Sequence, residues 1–151
     1  MIALTGIPCT GKTTLCEDLA KEGFECVSAD VAFSDCISSG EADSDCMRSR
    51  DVPMDSIVES HYSHLLDCRA AIILENDEDT LKERMMARGY PDAKIAENLE
   101  VQRSETIRFE ALETVPSGRI FTVNASGLSR EQTFGIVSEL IRKVANQLRS
   151  Q

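Results

Sequence analysis

Gly6-Ile-Pro-Cys-Thr-Gly11-Lys12-Thr13 satisfies the pattern G-x-x-x-x-G-K-[ST] at every fixed position. Such a segment works only where a strand hands over to a helix. The glycines let successive backbone N–H groups turn inward around phosphate oxygens, and the helix N-terminus adds the positive end of its dipole. Met1 to Gly6 reads as a short buried strand ending in a glycine loop, and Thr13 to Lys21 as a helix with Leu15 and Leu19 on one side. The motif therefore has the context it needs. The expectation is a bound nucleoside triphosphate with Mg²⁺: Lys12 reaches the β- and γ-phosphates, the Thr13 hydroxyl ligates the metal, and Thr14 donates towards the α-phosphate.

Downstream, short apolar runs alternate with helical periods. Phe24 to Val27, Ser56 to Glu59, Ala70 to Leu74 and Arg119 to Val123 read as further strands, continuous in apolar character as strands buried on both faces are. Asn76 or Asp77 can cap a helix running to about Arg88, where Gly89-Tyr90-Pro91 breaks it. One further helix is expected from about Ala93 to Leu112. Ser129-Arg-Glu-Gln132 is a capping box, followed at helical spacing by Phe134, Val137, Leu140, Ile141, Val144 and Leu148. From Ser28 to Asp55 the pattern dissolves into Ser, Asp, Glu and Gly, which predicts either a mobile insert or small helices over a cleft. The whole is an α/β fold: a P-loop three-layer architecture of five parallel strands with helices on both faces. At 151 residues it is one domain, residues 1–151.

A net charge of −10 disfavours groove reading or backbone wrapping of nucleic acid, and no apolar run approaches the roughly 20 residues of a membrane helix. The start lacks a signal-peptide pattern, so the expectation is a cytoplasmic protein beginning at Met1. Cys9, Cys16, Cys26, Cys36, Cys46 and Cys68 contain no C-x-x-C pair; free thiols are expected, several of them buried. The ten-residue spacing of four of them fits no helix or strand face and reads as accidental.

Two further constellations carry chemistry. Glu59-Ser-His61 ends the third strand, where an acid beside a P-loop holds Mg²⁺ or orients a nucleophile. A zinc site of Glu59, His61, His64 and Cys68 has no standard spacing; His64 reads as a packing or surface residue. Arg84 and Arg88 share a helix face. Cations there complement the helix dipole, but before Gly89 the Arg88 guanidinium can also swing onto phosphates. Arg84 reads as the partner of a nearby acid.

With P-loop, E-S-H and R-G-Y-P in that order, followed by Lys94-Ile-Ala-Glu-Asn-Leu-Glu100, the chain resembles the small atypical adenylate kinases of the type-6 family. That family includes archaeal proteins and eukaryotic nuclear proteins acting in small-ribosomal-subunit assembly. The resemblance implies a monophosphate-binding insert at about 28–50 and a short lid at about 87–97. It implies that Cys9, Gly11, Lys12, Thr13 and Thr14 bind ATP phosphates and that Arg88 contacts ATP from the lid. Lys12, Glu59, His61 and Arg88 would be catalytic, and Thr13 and Glu59 would hold Mg²⁺. Three departures stand out. Cys9 replaces a glycine, which a negative φ would allow. Glu75 stands where many relatives carry arginine. After Asp30 no arginine comes before Arg48.

Three functions follow from these readings. The first is transfer from ATP·Mg²⁺ to AMP giving two ADP, with some ATPase activity. The second is an ATP-switched assembly factor binding a basic small-subunit ribosomal protein, with Glu59 and His61 positioning water. The third is a small-metabolite kinase with another acceptor pocket between Ser28 and Asp55.

Overall fold

A computed structural model describes residues 1–150. In chain order, β1 (Ile2–Thr5) leads through the glycine loop into α1 (Lys12–Lys21) and β2 (Cys26–Ser28). The next stretch holds α2 (Ala29–Ala32), a 3₁₀ turn at Ser34–Cys36, the two-residue strands β3 (Ile37–Ser38) and β4 (Glu41–Ala42), and α3 (Ser44–Arg48). Then come β5 (Ile57–Glu59), a 3₁₀ turn at Ser63–Leu65, β6 (Ala70–Glu75) and α4 (Glu78–Ala87). The chain finishes with α5 (Asp92–Arg103), α6 (Thr106–Leu112), β7 (Ile120–Asn124) and α7 (Arg130–Arg149). Among the described residues no helix is long and apolar enough to cross a membrane.

Five strands form one parallel sheet in the order β2-β5-β1-β6-β7, with β3 and β4 a separate antiparallel hairpin. Leu4 pairs with Glu59 on one side and with Ile72 on the other, so β1 is the middle strand. Alternate residues face opposite layers. Ala3, Val58, Ala71 and Ile73 meet Phe33, Met47, Leu81, Met85, Ile95 and Ile107. Ile2, Leu4, Ile57, Ile72 and Leu74 meet Leu15 and Leu19 of α1 and Val137, Ile141 and Val144 of α7. Covering on both faces is why these strands read as unbroken apolar runs.

The helix ends follow their local chemistry. Asp77, not Asn76, caps α4, accepting from Thr80 N at 2.8 Å, while the Asn76 side chain accepts from Asp77 N. Ser129 and Gln132 close the capping box of α7 in both directions, at 3.1 and 2.9 Å. The single helix expected over 93–112 is two, α5 and α6, turning at Glu105 with φ 52°. A straight helix of that length would run about 30 Å, and the turn lets Ile107 and Ala111 return to the cluster holding Ile95 and Leu99.

The cysteine reading is corrected in part. Cys16–Cys26 and Cys36–Cys46 are disulfides, with Cα separations of 5.5 and 5.6 Å, while Cys9 and Cys68 are free and buried. The ten-residue spacing has a tertiary cause. The first pair joins α1 to the strand that returns beside it, and the second staples the hairpin segment to α3. Residues 28–55 thus form small ordered elements whose Phe33 and Met47 join the core.

The glycine loop leaves β1 through Gly6, at φ 147°, where a Cβ would sit 2.4 Å from the Leu74 carbonyl oxygen of β6. Backbone crowding of this kind has no side-chain escape. Gly6→Ala should therefore lower the stability of the chain by about 2 kcal/mol or more, measured as a fall in the urea midpoint with unchanged m-value.

Candidate functional site

The loop between β1 and α1 rises from the carboxyl end of the middle strand, where ligands of open α/β sheets bind. Gly11, the residue before α1, has φ 105°, a conformation that needs glycine. Cys9 is a correction. Its φ is 70°, not negative, so the loop holds a non-glycine residue in the left-handed region. What holds it there is Arg84, whose Nη1 donates to the Cys9 carbonyl at 2.9 Å. Arg84 therefore braces the β1–α1 loop and is not simply paired with an acid.

Lys12 is buried, with 7% of its surface exposed. Its Nζ curls back to donate to the Ile7 carbonyl at 2.6 Å. Burial pushes this amine down to about 8, with the Arg88 charge acting in the same direction and Glu59 opposing. The exposed Thr13 side chain donates its hydroxyl to Glu59 Oε1 at 3.1 Å, across 46 positions of sequence. Glu59 is itself buried at the end of β5. Two oxygens of the expected metal pair thus meet, beside the lysine. Hard oxygen donors of this kind suit Mg²⁺.

Beside the loop lies a cleft of about 440 Å³ whose lining includes Cys9, Gly11, Thr14, Asn76, Arg84 and Arg88. Arg88 closes the C-terminal end of α4, and Gly89 turns the chain into Pro91 and α5. The far wall is the β7–α7 connection, and Arg130 there grips Asp18 of α1 through two bonds of 2.7 and 2.6 Å. That contact holds the Asp18 carboxyl below its usual range. Gln102 of α5 fixes Asn76 at the end of β6 by bonding both its N–H and its carbonyl, at 3.4 and 2.9 Å.

The remaining candidates differ in setting. His61 is exposed, edge-on to Tyr62 at 5.0 Å; partial burial first, then the Lys12 charge, lowers its pKa, while Asp30 opposes. His64 is fully buried and engaged at both ring nitrogens, by Thr5 and by Glu110. Arg48 turns to the Leu65 carbonyl and Asp45, and Arg50 to Asp35. Glu75 is partly buried, and burial together with Glu105 raises its pKa. The spacing of Arg84 and Arg88 was visible in sequence, but the carbonyl that Arg84 holds was not. Asp18 with Arg130, 112 positions apart, carried no sequence signal at all.

No family model matches the chain. A Thermoplasma acidophilum protein described as "Putative adenylate kinase" is 46% identical over 133 residues, spanning 85% of this chain and 90% of its own length. One from Archaeoglobus fulgidus under the same description is 33% identical over 149 residues, spanning 94% of this chain and 82% of its own. Among solved structures, a gluconokinase from Sinorhizobium meliloti covers 99% of this chain and 96% of its own, with a TM-score of 0.54 and 18% identity. That likeness concerns the fold.

The geometry around Lys12 makes one direct prediction. Its amine should titrate at about 8, followed by NMR of the ¹⁵N-labelled side chain. Glu59→Gln removes the anion that supports the charged form, so the variant amine should titrate lower still. A Lys12 amine titrating at its ordinary value would mean that it is not buried as described.

Proposed function

The chain belongs to the adenylate kinase family of these archaeal relatives and is a phosphotransferase enzyme; we propose that it transfers the γ-phosphoryl group of ATP to AMP, giving two ADP. The observation that supports this most is the meeting of Lys12, Thr13 and Glu59 beside a cleft that carries Arg84 and Arg88. Thr13 and Glu59 would hold Mg²⁺, which when bound neutralises charge on the β- and γ-phosphate oxygens. Cys9, Gly11 and Thr14 would line the path of the phosphates.

The chain's own part is positioning and electrostatics. Charge spreads over the transferring phosphoryl group in the transition state. Lys12 leaves the Ile7 carbonyl to meet that charge, and the phosphates restore its full protonation. Arg88 stands at the turn before α5, so residues 87–97 act as a lid that brings its guanidinium onto the phosphates on closure. Arg84 holds the Cys9 peptide and keeps the loop concave. The AMP phosphate is already a nucleophile, so the acceptor needs no strong base. The acceptor sits under residues 28–50, whose two arginines are turned to neighbouring groups.

A second reading has one observation in its favour. His61 is exposed, and its lowered pKa leaves it neutral and able to accept from a water molecule. Slow ATP hydrolysis would then accompany transfer or, in an assembly factor with a basic protein partner, replace it.

The deciding measurement is ADP formation from ATP·Mg²⁺ with and without AMP. Strong AMP dependence is expected; turnover indifferent to AMP would move the reading to the ATPase. Lys12→Ala should slow turnover by about a hundredfold or more with the fold intact by circular dichroism. Arg88→Lys keeps charge but loses the planar fork, so kcat should fall while ATP Kd changes little, and Arg88→Ala should fall further. Arg84→Ala should instead weaken ATP binding, because the loop loses its brace. Wild-type turnover in both Arg88 variants would remove Arg88 from the transfer step.

A further inference from the structure

The 3₁₀ turn at Ser63–Leu65 buries a histidine that the transfer chemistry does not use. His64 is 1% exposed. Its Nδ1 lies 2.9 Å from the Thr5 hydroxyl and its Nε2 lies 3.2 Å from Glu110 Oε1. A carboxylate can only accept, so Nε2 carries the proton. Burial lowers the pKa of the ring, against the pull of Glu110, so the ring is neutral near pH 7 and Nδ1 is a lone-pair acceptor. Thr5 therefore donates to His64, and His64 donates to Glu110. The bond direction is set from the α6 end, and it terminates on the last residue of β1, immediately before Gly6.

The same segment is tied to β1 twice more. Ser60 N–H donates to the Leu4 carbonyl at 3.1 Å, and the Ser63 hydroxyl donates to that carbonyl at 3.3 Å. The Cys68 thiol donates to the His64 carbonyl at 3.6 Å, holding the turn from below. Residues 60–64 are thus clipped onto the strand from which the phosphate loop departs. Glu59 stands directly before them, and its contact with Thr13 spans strand β5 and helix α1. The distance across that pair depends on how β1 and the turn are registered. Of the three ties, Thr5 to His64 is the one with a side chain at both ends.

We propose that His64, bonded between Thr5 and Glu110, is a positioning residue for phosphoryl transfer: it registers the turn after Glu59 against the base of the phosphate loop and so places the Glu59 carboxylate opposite Thr13. It touches no substrate; its effect passes through Thr5 on one side and through the 59–61 segment on the other. The inference rests on the reading of Glu59 and Thr13 as the metal-side pair. Buried hydrogen-bond networks of this kind fix one arrangement where apolar packing would tolerate several.

Four variants test this: Thr5→Val, His64→Leu, His64→Asn and the double variant Thr5→Val/His64→Leu, each measured for kcat, ATP Kd and melting temperature. Wild type is first assayed with and without AMP, and the variants are compared on whichever turnover it shows. Glu59→Gln is run beside them as the reference: wild-type turnover in Glu59→Gln would overturn the metal-side reading, whereas wild-type turnover in the His64 and Thr5 variants of an enzyme that Glu59→Gln slows would overturn the His64 role alone. Loss of register without loss of the phosphate loop should lower kcat by about ten- to a hundredfold in His64→Leu and Thr5→Val, with ATP Kd within about twofold. The double variant should be no slower than the worse single one, because both break one bond. His64→Asn places an acceptor oxygen near the Nδ1 position while leaving more empty volume than leucine. It should therefore be faster than His64→Leu even where it melts lower, whereas a residue that merely fills space would give the opposite rank. The proposal fails if His64→Leu turns over like wild type, if Thr5→Val is unaffected, or if His64→Asn is slower than His64→Leu. Should His64→Leu not fold, Thr5→Val and His64→Asn against wild type still decide it.

Discussion

The arrangement of this chain turns on a backbone contact between two neighbouring strands. Where β1 ends, Gly6 passes so close to the Leu74 carbonyl of β6 that no side chain fits between them. The loop is thereby forced up and over the end of the sheet, and α1 starts at Lys12 with Leu15 and Leu19 turned to the layer that also takes α7. The loop and α1 residues that face the cleft inherit their place from that exit. Thr13 comes to the end of β5, where Glu59 waits, and Cys9 comes beneath Arg84 of α4. The disulfide between Cys16 and Cys26 then ties α1 to the edge strand.

Charge is distributed against the average of the molecule. The chain carries a net −10, yet Lys12, Arg84 and Arg88 gather around one loop. Asp18, an acid on the cleft wall, is held by Arg130, and Glu59 is in contact with Thr13. A local positive field inside an acidic surface favours an anionic ligand at one place, as the proposed phosphate site requires. Burial adds to the effect on Lys12, whose charge is least favoured when the loop is empty and most favoured beside an anion. Conversely, the cations of residues 28–50 bond to neighbouring groups and contribute little to that field.

Some of this was readable residue by residue. The P-loop pattern, the capping box at Ser129 and the apolar runs of the five strands are local signals, and each element stands where its own chemistry puts it. The break between α5 and α6 was not readable, because it answers to tertiary packing: the turn at Glu105 returns Ile107 and Ala111 to the cluster holding Ile95 and Leu99. The disulfides were missed for a related reason: ten residues match no local period, and the pairs form only because α1 and β2, and likewise the hairpin segment and α3, fold back on each other. A left-handed Cys9 was also hidden, since its conformation is stabilised by an arginine 75 positions away.

The sequence by itself determined the family, the strand–loop–helix that carries the glycine motif, and the identity of Lys12, Thr13, Glu59 and Arg88 as candidates. These depend on residue type at short spacing, where covalent geometry and local hydrogen bonding leave few choices. Only the tertiary structure decided which of them meet, and what the remaining polar groups do. Thr13 reaches Glu59 across 46 positions, Thr5 reaches His64 across 59, and Asp18 reaches Arg130 across 112. Contacts of that range are fixed by the register of parallel strands and by which helix covers which face. Both are set by burying the whole apolar surface at once, and no stretch of chain carries that information alone.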